Sequence, residues 1–243
     1  MDAQREGTHR RITRVTGVTF TGFPDDAFRF YDELSADNSK AFWQANRHRY
    51  QESVRGPLDA LLVELDEHGP FHVFRPYRDV RFAKGKALYK DHQGAYSESE
   101  GGAGFYVQIS GHGMMAGAGY YSMAPDQLAR FRAAIDADAQ GAEIARLAAE
   151  VEGRGLRLGA ISEVVTAPRG YPRDHPRIAL LRRKGLMATR SWEPAAWMRT
   201  KAVVARVRDA WDACGEMNAW LDLHVGPSTL APDDAEIGRF GPF

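Results

Sequence analysis

Two short stretches of this chain hold the side chains best suited to chemistry. Between residues 75 and 90 stand Arg75, Arg78, Arg81, Lys84, Lys86 and Lys90 against a single aspartate, Asp79, a net charge of +5. Between residues 169 and 190 stand Arg169, Arg173, Arg177, Arg182, Arg183, Lys184 and Arg190 against Asp174, a net of +6. The chain as a whole is neutral, with Lys+Arg 32 and Asp+Glu 32 in 243 residues, so everything else holds −11. Guanidinium and ammonium groups that converge hold phosphate or carboxylate through charge-assisted hydrogen bonds. Arginine number alone says little, because a skew of 26 arginines against 6 lysines in an alanine-rich chain more often reflects codon bias than selection for guanidinium chemistry. Arginine placement is the informative quantity.

Read as a strand, the first stretch puts Arg75, Tyr77, Asp79 and Arg81 on one side, with Phe74, Arg78, Val80 and Phe82 on the other. Arg78 then sits among apolar neighbours, where a guanidinium is costly unless a carboxylate or an anion pairs with it. The loop Ala83-Lys84-Gly85-Lys86 follows, its glycine allowing close backbone approach, and then Tyr89-Lys90-Asp91-His92. Arg78, Arg81, Lys86, Tyr89 and Lys90 are the expected ligand-binding residues here. The bland alternative is structural ion pairing around Asp79 beside a solvated lysine loop.

In the second stretch, Arg182, Arg183 and Lys184 are expected at a helix C-terminus, where the dipole favours cations without any ligand, with Gly185 as the cap. Arg169 and Tyr171 are the ligand-binding candidates. Pro176 marks a helix start, which would put Asp174 and His175 at a positive helix end, suited to an anion and to proton transfer. His175 is thus the candidate general acid or base, oriented by Asp174; the competing reading is that either residue simply caps the helix.

Other chemistry is poorly supplied. The single cysteine, Cys214, excludes an intramolecular disulfide and a Cys-rich zinc site, and its apolar helical stripe reads as a buried structural thiol. The histidines are scattered along the chain, so neither metal nor cofactor is expected. Gly101-Gly102-Ala103-Gly104 and the Gly111-His112-Gly113 turn join strands, the wrong setting for a phosphate-cradling helix entry. There is no nucleophile elbow and no Walker lysine.

The elements that must position these residues follow from periodicity. Phe23-Pro24-Asp25-Asp26 opens a helix. Asp37-Asn38 caps a second, running to about Arg55, and Gly56-Pro57 breaks it and starts a third with Leu58, Leu61, Leu62 and Leu65 inward. Phe71 to Phe82 reads as extended chain with an edge or bend at Pro76. Gly104 to Ser110 and Met114 to Tyr121 form a hairpin around Gly111-His112-Gly113. Helices follow from Pro125 and near Ala142 to Glu152, then a strand from Leu156 to Thr166. A short helix from Pro176 to about Lys184 and a strand from Met187 to Trp192 come next. One long helix closes the body on Val204, Val207, Trp211, Cys214, Leu221 and Val225. The pattern is α+β: a central, mostly antiparallel sheet with helices from both ends of the chain. One globular domain is expected over 18–225, with a flexible tail over 1–17 and an irregular one over 226–243. No run approaches the roughly 18 apolar residues of a membrane span, and no apolar stretch follows the N-terminal arginines. A soluble, cytoplasmic protein is the expectation.

Four stretches together carry a likeness. They are Asn38-Ser39-Lys40-Ala41-Phe42-Trp43 through Tyr50; Arg78-Asp79-Val80-Arg81-Phe82 with Lys86 and Tyr89-Lys90; Gly104-Phe105-Tyr106-Val107 through Ala118-Gly119-Tyr120-Tyr121; and Pro168-Arg169-Gly170-Tyr171-Pro172 through His175-Pro176 and Lys184. In order and spacing they resemble the conserved bacterial and fungal family called domain of unknown function 2461, over about residues 20 to 195. Where that family has Ser-x-Asp-Lys-x-Pro-Tyr-Lys, this chain has Ala83-Lys84-Gly85-Lys86-Ala87-Leu88-Tyr89-Lys90, so no role can rest on that serine or aspartate. The resemblance implies no activity, but its motifs fall on the same two basic stretches. A pocket shared by both stretches and holding a small anionic ligand is the leading expectation, with an enzyme using His175 as its extension. A nucleic-acid surface with Tyr77, Tyr89 or Tyr171 stacking on bases, or a protein-interaction module, are the rival readings. Zero net charge disfavours nucleic acid held by bulk charge.

Overall fold

The computed structural model describes residues 19–78, 87–99 and 102–230. Arg81 and Lys86, with Asp79, Lys84 and the expected N-terminal tail, lie outside the described residues. The chain divides into two compact units, each assembled from separate segments. The first comprises Met1–Ser97, Val107–Met114 and Trp192–Ala205; the second comprises Glu98–Tyr106, Met115–Ser191 and Arg206–Phe243.

The first unit opens on helix α1 (Asp25–Ala36), with Asp25 and Asp26 in its first turn. There they favour the positive helix end. Helix α2 (Lys40–Arg49) is capped by Ser39, whose hydroxyl accepts from the Phe42 N–H at 3.1 Å. The cap is therefore one residue later than Asp37-Asn38; Asp37 instead accepts from the Ser39 N–H. Gly56-Pro57 does not break the chain either. A π-helical turn over Tyr50–Arg55, closed by the Gly56 N–H on the Gln51 carbonyl, runs straight into helix α3 (Gly56–Glu64). Pro57 has no N–H to give and its ring displaces the carbonyl four residues back, and the wider turn absorbs both effects. Arg49 ties α1 to α2, with Asp26 at 2.7 Å and Glu33 at 2.6 Å. Phe23, Phe30, Leu34, Val54, Leu58, Leu61 and Leu65 are fully buried in this unit, each such side chain contributing about 1.5–3 kcal/mol.

Strand β1 (His72–Val73) pairs antiparallel with β2 (His92–Glu98), His72 opposite Tyr96 and Val73 opposite Ala95. The expected hairpin is β3 (Gly104–Ser110) and β4 (Gly113–Tyr120). Its turn needs Gly113: φ is +108°, and a Cβ there would lie 2.0 Å from the Trp192 carbonyl oxygen.

In the second unit, helix α4 (Pro125–Asp136) and helix α5 (Asp138–Gly153) meet through Ala137 and bury Phe131, Ile135, Ile144, Leu147 and Val151. Strand β5 is only Arg157–Gly159, paired antiparallel with β6 (Leu186–Trp192). The strand expected from Leu156 to Thr166 thus stops early, and Glu163 contributes an isolated bridge to Arg183. Helix α6 is also short, Ile178–Leu181, ending at Arg182, so Gly185 is not its cap. Gly185 serves a close approach instead, since a Cβ on it would lie 2.5 Å from the Tyr121 carbonyl oxygen. The long closing helix is two, α7 (Ala202–Asp212) and α8 (Gly215–His224). The chain turns at Ala213 and Cys214, and glycine, a weak helix former, opens the second helix at Gly215. Cys214 is buried at this break, its thiol pushed up to about 12 by burial.

The strands lie in the order β1-β2-β3-β4-β6-β5 in one antiparallel sheet, an α+β architecture. Among the described residues no helix is long and apolar enough to cross a membrane.

Candidate anion-binding site

The residues around the first basic stretch form a two-stranded arm in the first unit. Tyr77 and Tyr89 face each other in an antiparallel bridge, closed by the Arg78 N–H on the Leu88 carbonyl at 2.9 Å and the Lys90 N–H on the Pro76 carbonyl at 2.8 Å. Alternation then assigns the faces. Tyr77 and Tyr89 turn toward Trp43: Tyr89 is 5% exposed and stacks on the indole at 4.4 Å and 12°. Asn38 clamps the arm with both amide atoms, donating from Nδ2 to the Tyr89 carbonyl at 3.1 Å and accepting from the Tyr89 N–H at 2.8 Å. Gln93 adds a second anchor, accepting from the Tyr50 hydroxyl at 2.6 Å and donating to the Phe74 carbonyl at 2.7 Å.

Arg78 and Lys90 lie on the opposite face of the bridge. The Lys90 ammonium is 4.6 Å from the centre of the Phe74 ring. Burial, then the charges of Arg78 and Arg75, hold its pKa below the ordinary lysine value, with Asp91 opposing them. Arg78 is half-buried and donates from Nη2 to Asp91 Oδ1 at 3.1 Å. Its Nε is buried with no hydrogen-bond partner among the described residues. The same Asp91 oxygen lies 2.9 Å from His92 Nδ1. A carboxylate only accepts, so Nδ1 carries the proton and Nε2 is the basic nitrogen. Burial is the main influence lowering the His92 pKa; Asp91 opposes it, and Lys90 and Arg78 add to it. Asp91 is itself held below the usual carboxylate value: burial works to raise it, but the bond from His92 and the Arg78 charge outweigh that.

Sequence reasoning named Arg78, Tyr89 and Lys90 here and passed over Asp91 and His92. The available signal was the i, i+2 spacing of Lys90 and His92. It went unused because His-Gln-Gly-Ala-Tyr-Ser-Glu lacks an apolar alternation and did not read as a strand. Tyr89 is a buried strut.

The second basic stretch belongs to the other unit, and most of its charge is engaged. Arg177 donates to the Ile135 and Asp136 carbonyls, Arg182 to the Val164 carbonyl and Arg190 to the Arg154 carbonyl, while Arg183 faces Glu163 at 3.4 Å. Arg169 and Asp174 are exposed and Tyr171 is half-buried. His175 is buried, but the carboxylate beside it is Asp136, 3.3 Å from Nε2, and not Asp174. Its Nδ1 accepts from the Arg177 N–H at 3.0 Å, so both ring nitrogens have neighbours. The helix after it starts at Ile178 and has four residues, two positions later than Pro176 marks. Burial, then Asp136, push the Tyr171 hydroxyl up, with Arg132 opposing. Among the described residues no group of three His, Cys, Asp or Glu side chains is placed to hold a metal ion.

An antiparallel α+β protein with a cation-lined arm in one unit is the class that these features define. Residues 26–220 match the family described as conserved hypothetical protein (DUF2461), and the chain belongs to that family. Neither the curated proteins nor the solved structures contain a significant match.

Proposed function

We propose that the arm binds a small oxyanion, a phosphate- or carboxylate-bearing ligand, through Arg78 and Lys90, with Arg75 beside them. The observation that carries this is an imbalance of charge. Lys90 is half-buried against Phe74 with two arginines as its cationic neighbours and makes no ion pair among the described residues. The carboxylate at hand, Asp91, is already shared between Arg78 and His92. Half-buried cations without matching carboxylates favour an anion from solution. Arg81 and Lys86 neighbour this arm in sequence and extend the same proposal. Arg169, Tyr171, His175 and Asp174 carry less of it, because Arg169 and Asp174 are solvent-facing and His175 is occupied on both nitrogens.

Calorimetric titration of the full chain with sodium sulfate at low ionic strength tests the reading. Arg78→Met and Lys90→Met are each expected to weaken binding about tenfold, the effect of losing about 1.4 kcal/mol. Wild-type protein that takes up no sulfate, or variants that bind it as tightly as wild type, would end the proposal.

A further inference from the structure

A group beside the Arg78 and Lys90 charges that can take up a proton near neutrality is His92, which the sequence reading gave no role. It opens strand β2 and is 6% exposed. Three charged groups act on it: Asp91, in contact with Nδ1; Lys90, two residues earlier; and Arg78, joined to it through the shared Asp91 oxygen. Asp91 sets the tautomer, so the nitrogen left to accept a proton is Nε2. Asp91 is also the one member of the group that is largely exposed, at 60%. The arrangement is a carboxylate, an imidazole and two cations, with one acidic oxygen linking the imidazole to a guanidinium.

We infer that His92 is the proton-accepting residue of the oxyanion site, so that the arm takes up an anion and a proton together; this rests on the anion-binding reading above. The physical cause is electrostatic linkage. In the free protein Lys90 and Arg78 oppose a third positive charge on the buried ring. A bound oxyanion offsets those charges, and the imidazolium, backed by Asp91, then becomes the favoured form. The reverse also holds by reciprocity: protonating His92 tightens anion binding. A site of this kind suits a phosphate monoester or a carboxylate whose neighbouring hydroxyl has a proton to share. His92 then stands ready to receive or return that proton as the ligand binds and leaves.

Sulfate separates the protein's proton from the ligand's, because sulfate has no titratable proton near neutrality. The full-length protein is titrated with sodium sulfate between about pH 5 and 7, the range in which histidine titrates, in two buffers of different ionisation enthalpy. The difference in heat reads the protons taken up per anion. Wild-type protein is expected to show net uptake that grows as pH falls from neutrality and then declines once the free protein is itself protonated. His92→Gln is expected to lose the uptake, while His112→Gln, in the exposed hairpin turn, keeps it. Should the buried substitution fail to fold, Asp91→Asn provides the second reading: without the carboxylate the imidazolium is harder to form, so the uptake profile moves to lower pH. Uptake that survives in His92→Gln, or a profile that stays in place in Asp91→Asn, overturns the role of His92 and leaves the anion site standing. Sulfate that does not bind the wild-type protein at all overturns both.

Discussion

Single carboxylates decide more here than their number would suggest, because each serves several donors. Asp91 joins Arg78 to His92, and Asp126 does comparable work in the second unit. Its carboxylate accepts from the Thr229 N–H at 2.8 Å, the Ser228 hydroxyl at 2.8 Å and Arg130 Nη1 at 3.0 Å. Arg130 in turn donates to the carbonyls of Val225 and Pro227, and Gln127 to that of Gly226. Residues 226–230 form no helix or strand, as their Gly and Pro content implies, yet they are fastened to the first turn of α4. Burial works to raise the Asp126 pKa, but the bonds from Thr229, Ser228 and Arg130 outweigh it, and the group is held well below the ordinary aspartate value. A carboxyl depressed in the folded state adds stability above its unfolded pKa, and that contribution is lost as pH falls through the folded value. Asp126→Asn is therefore expected to lower stability by about 1–2 kcal/mol at pH 7. The difference from wild type should shrink progressively below about pH 4. Urea denaturation at pH 7 and at acid pH measures both; equal destabilisation at the two would show that the charge is not what holds the segment.

At the scale of elements, the arm depends on a residue that sequence reasoning assigned elsewhere. Asn38 reads as a helix cap, and Ser39 takes that role. Released from it, the Asn38 amide fills the two open main-chain positions of Tyr89, which no strand neighbour satisfies at that point. Asn38→Ala leaves a part-buried N–H and C=O without partners and is expected to cost about 1–3 kcal/mol. Sulfate affinity should fall with it, since the clamp sets where Lys90 stands. Chemical denaturation together with the sulfate titration checks this; stability lost with affinity intact would separate the clamp from the site. Much of the element pattern was legible. The α1 start, the β3–β4 hairpin, α4 with Phe131 and Ile135, and β6 all follow from local spacing. The failures have local causes too. β2 is polar in composition though buried along most of its length, and the π turn hides in a run that scans as helix. The closing helix keeps its apolar period across a break that only the backbone reveals.

For the whole molecule, neutrality conceals an uneven distribution that is settled differently in the two units. In the second, Arg177, Arg182 and Arg190 donate to main-chain carbonyls, and Arg183 pairs with Glu163 while its buried Nε and Nη1 make no hydrogen bond among the described residues. In the first, Lys90 has no ion pair and Arg78 Nε no hydrogen-bond partner among the described residues. With a net charge of zero and Tyr89 locked against Trp43, neither bulk attraction nor that ring is available to a nucleic acid. Fluorescence anisotropy with single- and double-stranded oligonucleotides at about 0.15 M salt is expected to show no binding; a tight complex there would favour the nucleic-acid reading over a small ligand. The sequence by itself determined the α+β class, most helix and strand types, the buried thiol, the family resemblance and where the positive charge is concentrated. Those are properties of composition and of neighbours a few residues apart. Only the tertiary structure decided that Asp91 meets Arg78 and His92, that Asp136 and not Asp174 meets His175, and that Lys90 packs on Phe74 with no ion pair among the described residues. Each of those pairings depends on which chain segments lie side by side, and periodicity reports the face a residue occupies without naming what faces it.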